Sequence, residues 1–221
     1  MMGLLYFYSG SAANLDLLYI GILMLAVLLG SYVVHVPNSK LFNILESSIL
    51  LIFLTLGFVL SYVYFPNLSS IFKIISLFVF GFIFYMLLLV NNVFLVVETR
   101  EETIPLYRVA STWSKILVVI VSIPLLAGVY KVNLNSLYET GLTCVIALFS
   151  YGYLLWSLKY NHEVKKYKMG ELVAVFSLST FFVLAANLSV SFIPSETFLR
   201  ALFVSSVLIF GVSFIEAHLK N

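Results

Sequence analysis

Charge is what this sequence has least of: Asp, Glu, Lys and Arg supply 10% of its 221 residues, against roughly 25% in an ordinary soluble domain. With 62% of residues hydrophobic, a water-soluble fold is excluded, because one core cannot hide that much apolar surface. Cysteine is nearly missing. The single Cys144 excludes an intrachain disulfide and reads as a small packed residue. Aspartate also occurs once, as Asp16, so no intramembrane aspartate pair exists for proteolysis. No Gly-x-Ser-x-Gly or His-Glu-x-x-His motif is present either. The net charge of +2 is too small for the basic field that nucleic-acid binding needs. The three histidines, His35, His162 and His218, fall at or beyond helix ends, which suits neither paired haem ligands nor zinc spacing. No catalytic residue, metal site or cofactor is therefore expected.

What is present is a series of long apolar runs. A membrane-crossing segment must satisfy its own backbone hydrogen bonds, so it needs about 20 consecutive apolar residues as helix. Seven stretches qualify, approximately 16–36, 41–64, 69–97, 105–130, 136–158, 170–190 and 195–219. Turn and cap chemistry separates them at Pro37-Asn38-Ser39, Pro66-Asn67, Thr103 before Pro105, Asn133 to Ser136, and Pro194-Ser195. The runs are continuous rather than alternating, which rules out a barrel. The expected fold is an all-α polytopic transmembrane bundle of about seven spans forming a single domain over 1–221. Its third span is the longest and expected to tilt or protrude. Residues 1–14 carry no positively charged leader region and read as a short outer segment, with Asn14 or Asp16 capping the first span.

Positive residues are retained on the cytoplasmic side of short loops. With the N-terminus outside, Lys40, Arg100, Arg108, Lys115, Lys159, Lys165, Lys166, Lys168 and Lys220 are inner, whereas Lys73, Lys131 and Arg200 are outer. Nine against three favours N-out and C-in, in the plasma (inner) membrane of a prokaryote. Tyr62, Tyr64, Tyr130 and Tyr138 then sit near the outer interface, and Trp113, Trp156 and Tyr160 near the inner one.

Ionisable groups inside a membrane are costly and are the natural functional suspects. Such groups and other strongly polar ones gather at the inner side: Glu46, Asn91, Asn92, Glu98, Arg108, Thr112, Lys115 and Glu171, with Glu216 closing the last span. Arg108, Thr112 and Lys115 are spaced i, i+4 and i+7 and share one helix face. An arginine at a helix N-terminus opposes the dipole, so Arg108 needs a partner among Glu98, Glu101, Glu102 or Glu46. The cluster is either a cytoplasmic vestibule for an ion or small anion, or a set of structural ion pairs and snorkelling side chains. Likewise Lys159, Lys165, Lys166 and Lys168 either bind anionic lipid headgroups or only enforce topology. Three further features read as packing: a kink at Pro124 that Ser122 or water helps to satisfy, an interhelical hydrogen bond from Asn187, and small-residue contacts at Ala26-x-x-x-Gly30 and Ala201-x-x-x-Ser205.

The Asn91-Asn92 pair, followed by Arg100, Ile104-Pro105-Leu106 and Arg108-x-Ala110, resembles an uncharacterised multi-pass membrane family of small-genome candidate-phylum bacteria. The likeness covers about 20 residues, 91–110. It implies a bundle of about seven helices and no assigned activity. A microbial rhodopsin is excluded because the last span has no central lysine. Sugar transporters of three-plus-one-plus-three design are disfavoured because Pro37, Pro66 and Pro194 lie outside the helices.

Two functions fit. One is a non-catalytic sensor or interaction component that presents charged cytoplasmic loops to anionic lipids or to another membrane or cytoplasmic protein. The other is a small transporter or channel using the inner polar cluster. A polar cavity running from the cytoplasm past Asn91 and Asn92 would mark the second, and a closed, apolar outer half the first.

Overall fold

The computed structural model describes residues 17–35, 41–64, 69–100, 105–132, 134–159, 169–193 and 195–220. All its regular structure is helical: α1 (Leu17–His35), α2 (Leu41–Tyr64), α3 (Ser70–Arg100), α4 (Pro105–Lys131), α5 (Ser136–Leu158), α6 (Met169–Ser191) and α7 (Thr197–Lys220). Six of these, α2 to α7, are long and apolar enough to cross a bilayer; α1 is apolar and shorter. The protein is an all-α integral membrane bundle. Its surface makes the same point, since large apolar side chains such as Phe78 and Phe82 on α3 and Phe181 and Phe210 on α6 and α7 are all exposed, more than a water-facing surface ordinarily carries.

α4 is the central helix and packs against α2, α3, α5 and α7. α2 lies beside it and carries α1 on its far side, while α6 closes the other flank against α5 and α7. Two glycines explain how closely α2 and α4 meet. A Cβ on Gly57 would lie 2.9 Å from the Leu125 backbone nitrogen, and one on Gly128 would lie 2.5 Å from Leu60 Cβ. Each helix therefore receives the other's leucine where it has no side chain, the usual device for close approach in lipid. The Ala201 and Ser205 faces are likewise buried, and Ser205 Oγ lies 3.3 Å from Ser122 Oγ. At Gly30, by contrast, nothing comes within 4 Å, so the Ala26-x-x-x-Gly30 pattern marks no close contact there.

At 31 residues, α3 measures about 46 Å along its axis, well beyond the ~30 Å hydrocarbon core. It is also the least buried of the six long helices. Pro124 sits inside α4 without ending it. Ser122 Oγ turns to the Val119 carbonyl at 2.9 Å, not to the Ile120 carbonyl that a proline at position 124 leaves without its usual donor. The hydroxyls of Ser48, Thr55, Ser61 and Thr143 similarly bond to carbonyls four residues back, which is how such groups are kept satisfied in apolar surroundings.

The expected Asn14 or Asp16 cap, residues 1–14, His162, Lys165, Lys166 and Lys168, and the acids Glu101 and Glu102 fall outside the described residues, as do the side chains of Glu98 and His35.

Candidate functional site

The helix connectivity gives the bundle two ends. α2, α4 and α6 begin at one, and α1, α3, α5 and α7 begin at the other. Residues marked by the sequence belong to the first end, and the structure divides them into two groups. Asn91 and Lys115 face neighbouring helices. Asn92, Arg108, Thr112, Lys159 and Glu171 are exposed, and Glu46 is partly buried.

Asn91 is fully buried. Its Nδ2 donates to the Ser47 carbonyl on α2 at 2.8 Å, and its Oδ1 accepts from the Tyr153 hydroxyl on α5 at 2.8 Å. One amide thus ties three helices. Around it an aromatic cluster fills the space: Phe94 meets Tyr107 and Trp156 edge-on, and Tyr153 packs against Trp156 at 5.6 Å. The Tyr107 hydroxyl adds a bond from α4 to the Ser157 carbonyl on α5 at 2.9 Å. Lys115 on α4 pairs with Glu216 on α7 at 2.5 Å. Thr112 spends its hydroxyl on the Arg108 carbonyl of its own helix. His218 is exposed and stacks on Phe214. No group of three or more metal-ligating side chains occurs among the described residues.

A second polar cluster, at the opposite end, was not legible as a unit in the sequence. Arg200, in the first turn of α7, forms an ion pair with Glu139, in the first turn of α5. The two side chains are only 14% and 9% exposed. The Arg200 guanidinium lies 4.4 Å from the centroid of the Tyr130 ring at the end of α4, a cation–π contact strengthened by the apolar surroundings. It also donates to Asn187 Oδ1 on α6 at 3.3 Å, and Asn187 Nδ2 donates to Thr140 Oγ1 on α5 at 3.0 Å. The electrostatics are complementary: a carboxylate at the start of α5 is favoured by the helix dipole, a cation at the start of α7 is not, and the ion pair offsets the second with the first. Four helices, α4 to α7, are clamped by this cluster. The Tyr130 hydroxyl and Arg200 Nε have no hydrogen-bond partner among the described residues.

The expectation of an interhelical bond from Asn187 is met. In the sequence Arg200 counts only as an outer charge, since a rule that counts lysines and arginines by loop cannot see which of them turns inward. The missed signal was its spacing, three residues into a span just as Glu139 is three residues into its own.

Between α2, α3 and α4 lies a cavity of about 410 Å³, lined mainly by apolar side chains, with Ser61, Tyr62 and Ser76 at its edge, and placed toward the end where α3 begins. It is apolar where the transporter reading asked for a polar one, and it does not include Asn91 or Asn92 among its lining residues.

Fold and site together define a polytopic helical membrane protein in which two buried polar clusters, around Asn91 and around Arg200, join helix to helix. No protein-family model, curated protein or solved structure matches the chain.

Proposed function

We propose that this chain is a non-catalytic membrane component, a sensor or interaction partner. It docks other proteins or anionic lipids through the charged stretches at the end where α4 and α6 begin. By the positive-inside bias that end faces the cytoplasm of a prokaryotic plasma membrane, with the N-terminus outside. The uncharacterised multi-pass family suggested by residues 91–110 is part of the same reading. The observation that carries it is the division of labour at this end. Asn91 and the Lys115–Glu216 pair are engaged between helices, whereas Arg108, Lys159 and Glu171 lie on the surface. Polar groups that hold helices together cannot also strip and pass an ion without loosening the bundle, while charges on the surface lie where another protein or a lipid headgroup can reach them.

The test is site-specific photocrosslinking in native membranes from a photoreactive residue at Lys159 or Glu171, paired with flux measurements in proteoliposomes. Discrete crosslinked species that vanish when residues 98–102 and 163–168 are made neutral are expected, with ion flux at background. Absent crosslinks, together with a wild-type flux that Glu46→Ala or Arg108→Ala removes, would replace this reading by the transporter.

A further inference from the structure

The α2–α3 hairpin holds one charged residue in a stretch of 51. From Ser47 to Val97 the chain contains no acid and a single base, Lys73. Lys73 lies in the first turn of α3, where the helix dipole disfavours a cation. It is half-buried and forms no ion pair among the described residues. The charge rule gives it no topological use, since it is one of the three positive residues on the minority side.

The cavity between α2, α3 and α4 reaches the same turns of α3: Lys73 is not a lining residue, but its neighbours Phe72, Ile75 and Ser76 are. Lys73 precedes Phe80 by seven residues, two helical turns, so the two share a face of α3, and Phe80 lines the cavity. The neck between them is polar and rigid. The Tyr62 hydroxyl donates to the Lys73 carbonyl at 2.6 Å and lies 2.7 Å from Ser76 Oγ, which itself donates to the same carbonyl at 2.8 Å. Below the neck, Tyr62, Phe58 and Phe80 form a continuous aromatic wall, with ring centroids 4.6 and 4.4 Å apart. Gly57 and Gly128 bring α2 and α4 close together, and α3, which also packs against both, is the least buried of the long helices. Phe72 and Val79, both lining residues, are 61% and 51% exposed, so the cavity opens sideways into the bilayer.

We propose that this cavity is a binding site for one membrane phospholipid with an anionic headgroup, its acyl chain laid between α2, α3 and α4 and its phosphate held by Lys73. An apolar volume of about 410 Å³ is in the range of ligand pockets, and a lateral opening at the level of a first helical turn admits a chain while leaving its headgroup at the interface. Lys73, the one cation between Ser47 and Val97, lies on the first turn of α3, at the level where that phosphate would stand. This site is independent of the docking surface proposed above, at the opposite end of the bundle.

The test is native mass spectrometry of the full chain titrated with phosphatidylglycerol and, separately, phosphatidylcholine. One phosphatidylglycerol is expected to bind about fivefold more tightly than phosphatidylcholine, the selectivity of one basic residue near the surface. Lys73→Gln should reduce phosphatidylglycerol binding to the phosphatidylcholine level, and Val79→Trp, which fills the cavity from its exposed side, should abolish the one-lipid complex with both. Val145→Trp, on the exposed face of α5, should change neither. The proposal is overturned if Val79→Trp keeps the one-lipid complex, or if Lys73→Gln leaves the headgroup preference intact. It is equally overturned if the cavity variants change the monomer–dimer ratio instead, which would make the groove a contact between two copies of the chain.

Discussion

A guanidinium held about one helical turn inside an apolar bundle persists only while its charge is answered, and at Arg200 the answer is the Glu139 carboxylate. Breaking a buried pair from one side leaves an uncompensated charge and typically costs 3–5 kcal/mol. Glu139→Leu should therefore lower stability in detergent by about 3 kcal/mol. The double variant Glu139→Leu, Arg200→Met should recover most of that loss, because an apolar pair of similar volume is often as stable as the ion pair it replaces. A double variant as unstable as the single one would show that the two residues act separately. Asn91 is a milder case. Interhelical hydrogen bonds in membranes are worth about 0.6 kcal/mol each on average, so Asn91→Ala, which removes two, should cost about 1–2 kcal/mol by the same assay. At this scale the sequence was readable where a polar residue is deep in a span: Asn91 and Asn187 both stood out. It was unreadable where a side chain could turn either way, as with Asn92, which is adjacent to Asn91 and exposed.

At the level of helices, the joint between α2 and α4 depends on missing side chains. Gly57→Ala would place a methyl against the Leu125 backbone, which cannot rotate aside as a side chain can. Overpacking of this kind costs about 1–3 kcal/mol. Gly30→Ala, with nothing within 4 Å, should instead be neutral or stabilising by up to about 1 kcal/mol, since alanine loses less backbone freedom in a helix. Opposite signs for these two substitutions in one unfolding series are the expected result; a cost at Gly30 equal to that at Gly57 would mean that the glycines are not what sets the helix spacing. The helices themselves were legible in the chain, because a segment in lipid must satisfy its backbone internally and therefore announces itself by length and hydropathy. Which small residues form contacts was not legible. Ala26 and Gly30 have the same spacing as Ala201 and Ser205, yet the first pattern faces outward at Gly30 and the second faces inward.

For the whole molecule, the orientation inferred from charge has a direct consequence. In a Cys144→Ser background, a cysteine at the exposed Leu134 should react with an impermeant maleimide in intact cells, and one at the exposed Lys159 only after permeabilisation. The reverse pattern would invert the topology and move the proposed docking surface to the outside. The chain by itself determined the class of protein, an all-α membrane bundle with helices from Leu17 to Lys220, because hydropathy and helical length are local properties that no distant residue has to supply. Tertiary structure alone decided which polar groups meet. It joined Asn91 to Tyr153 across 62 residues of chain and Ser122 to Ser205 across 83. It also clamped Arg200 to Glu139 at the end opposite the polar cluster that the sequence marks, and opened a largely apolar cavity close to Lys73. In lipid the hydrophobic effect drives helices into the membrane but does not choose their neighbours. That choice falls to close packing and to a few polar contacts, whose partners lie far apart in the chain and come together only in the folded bundle.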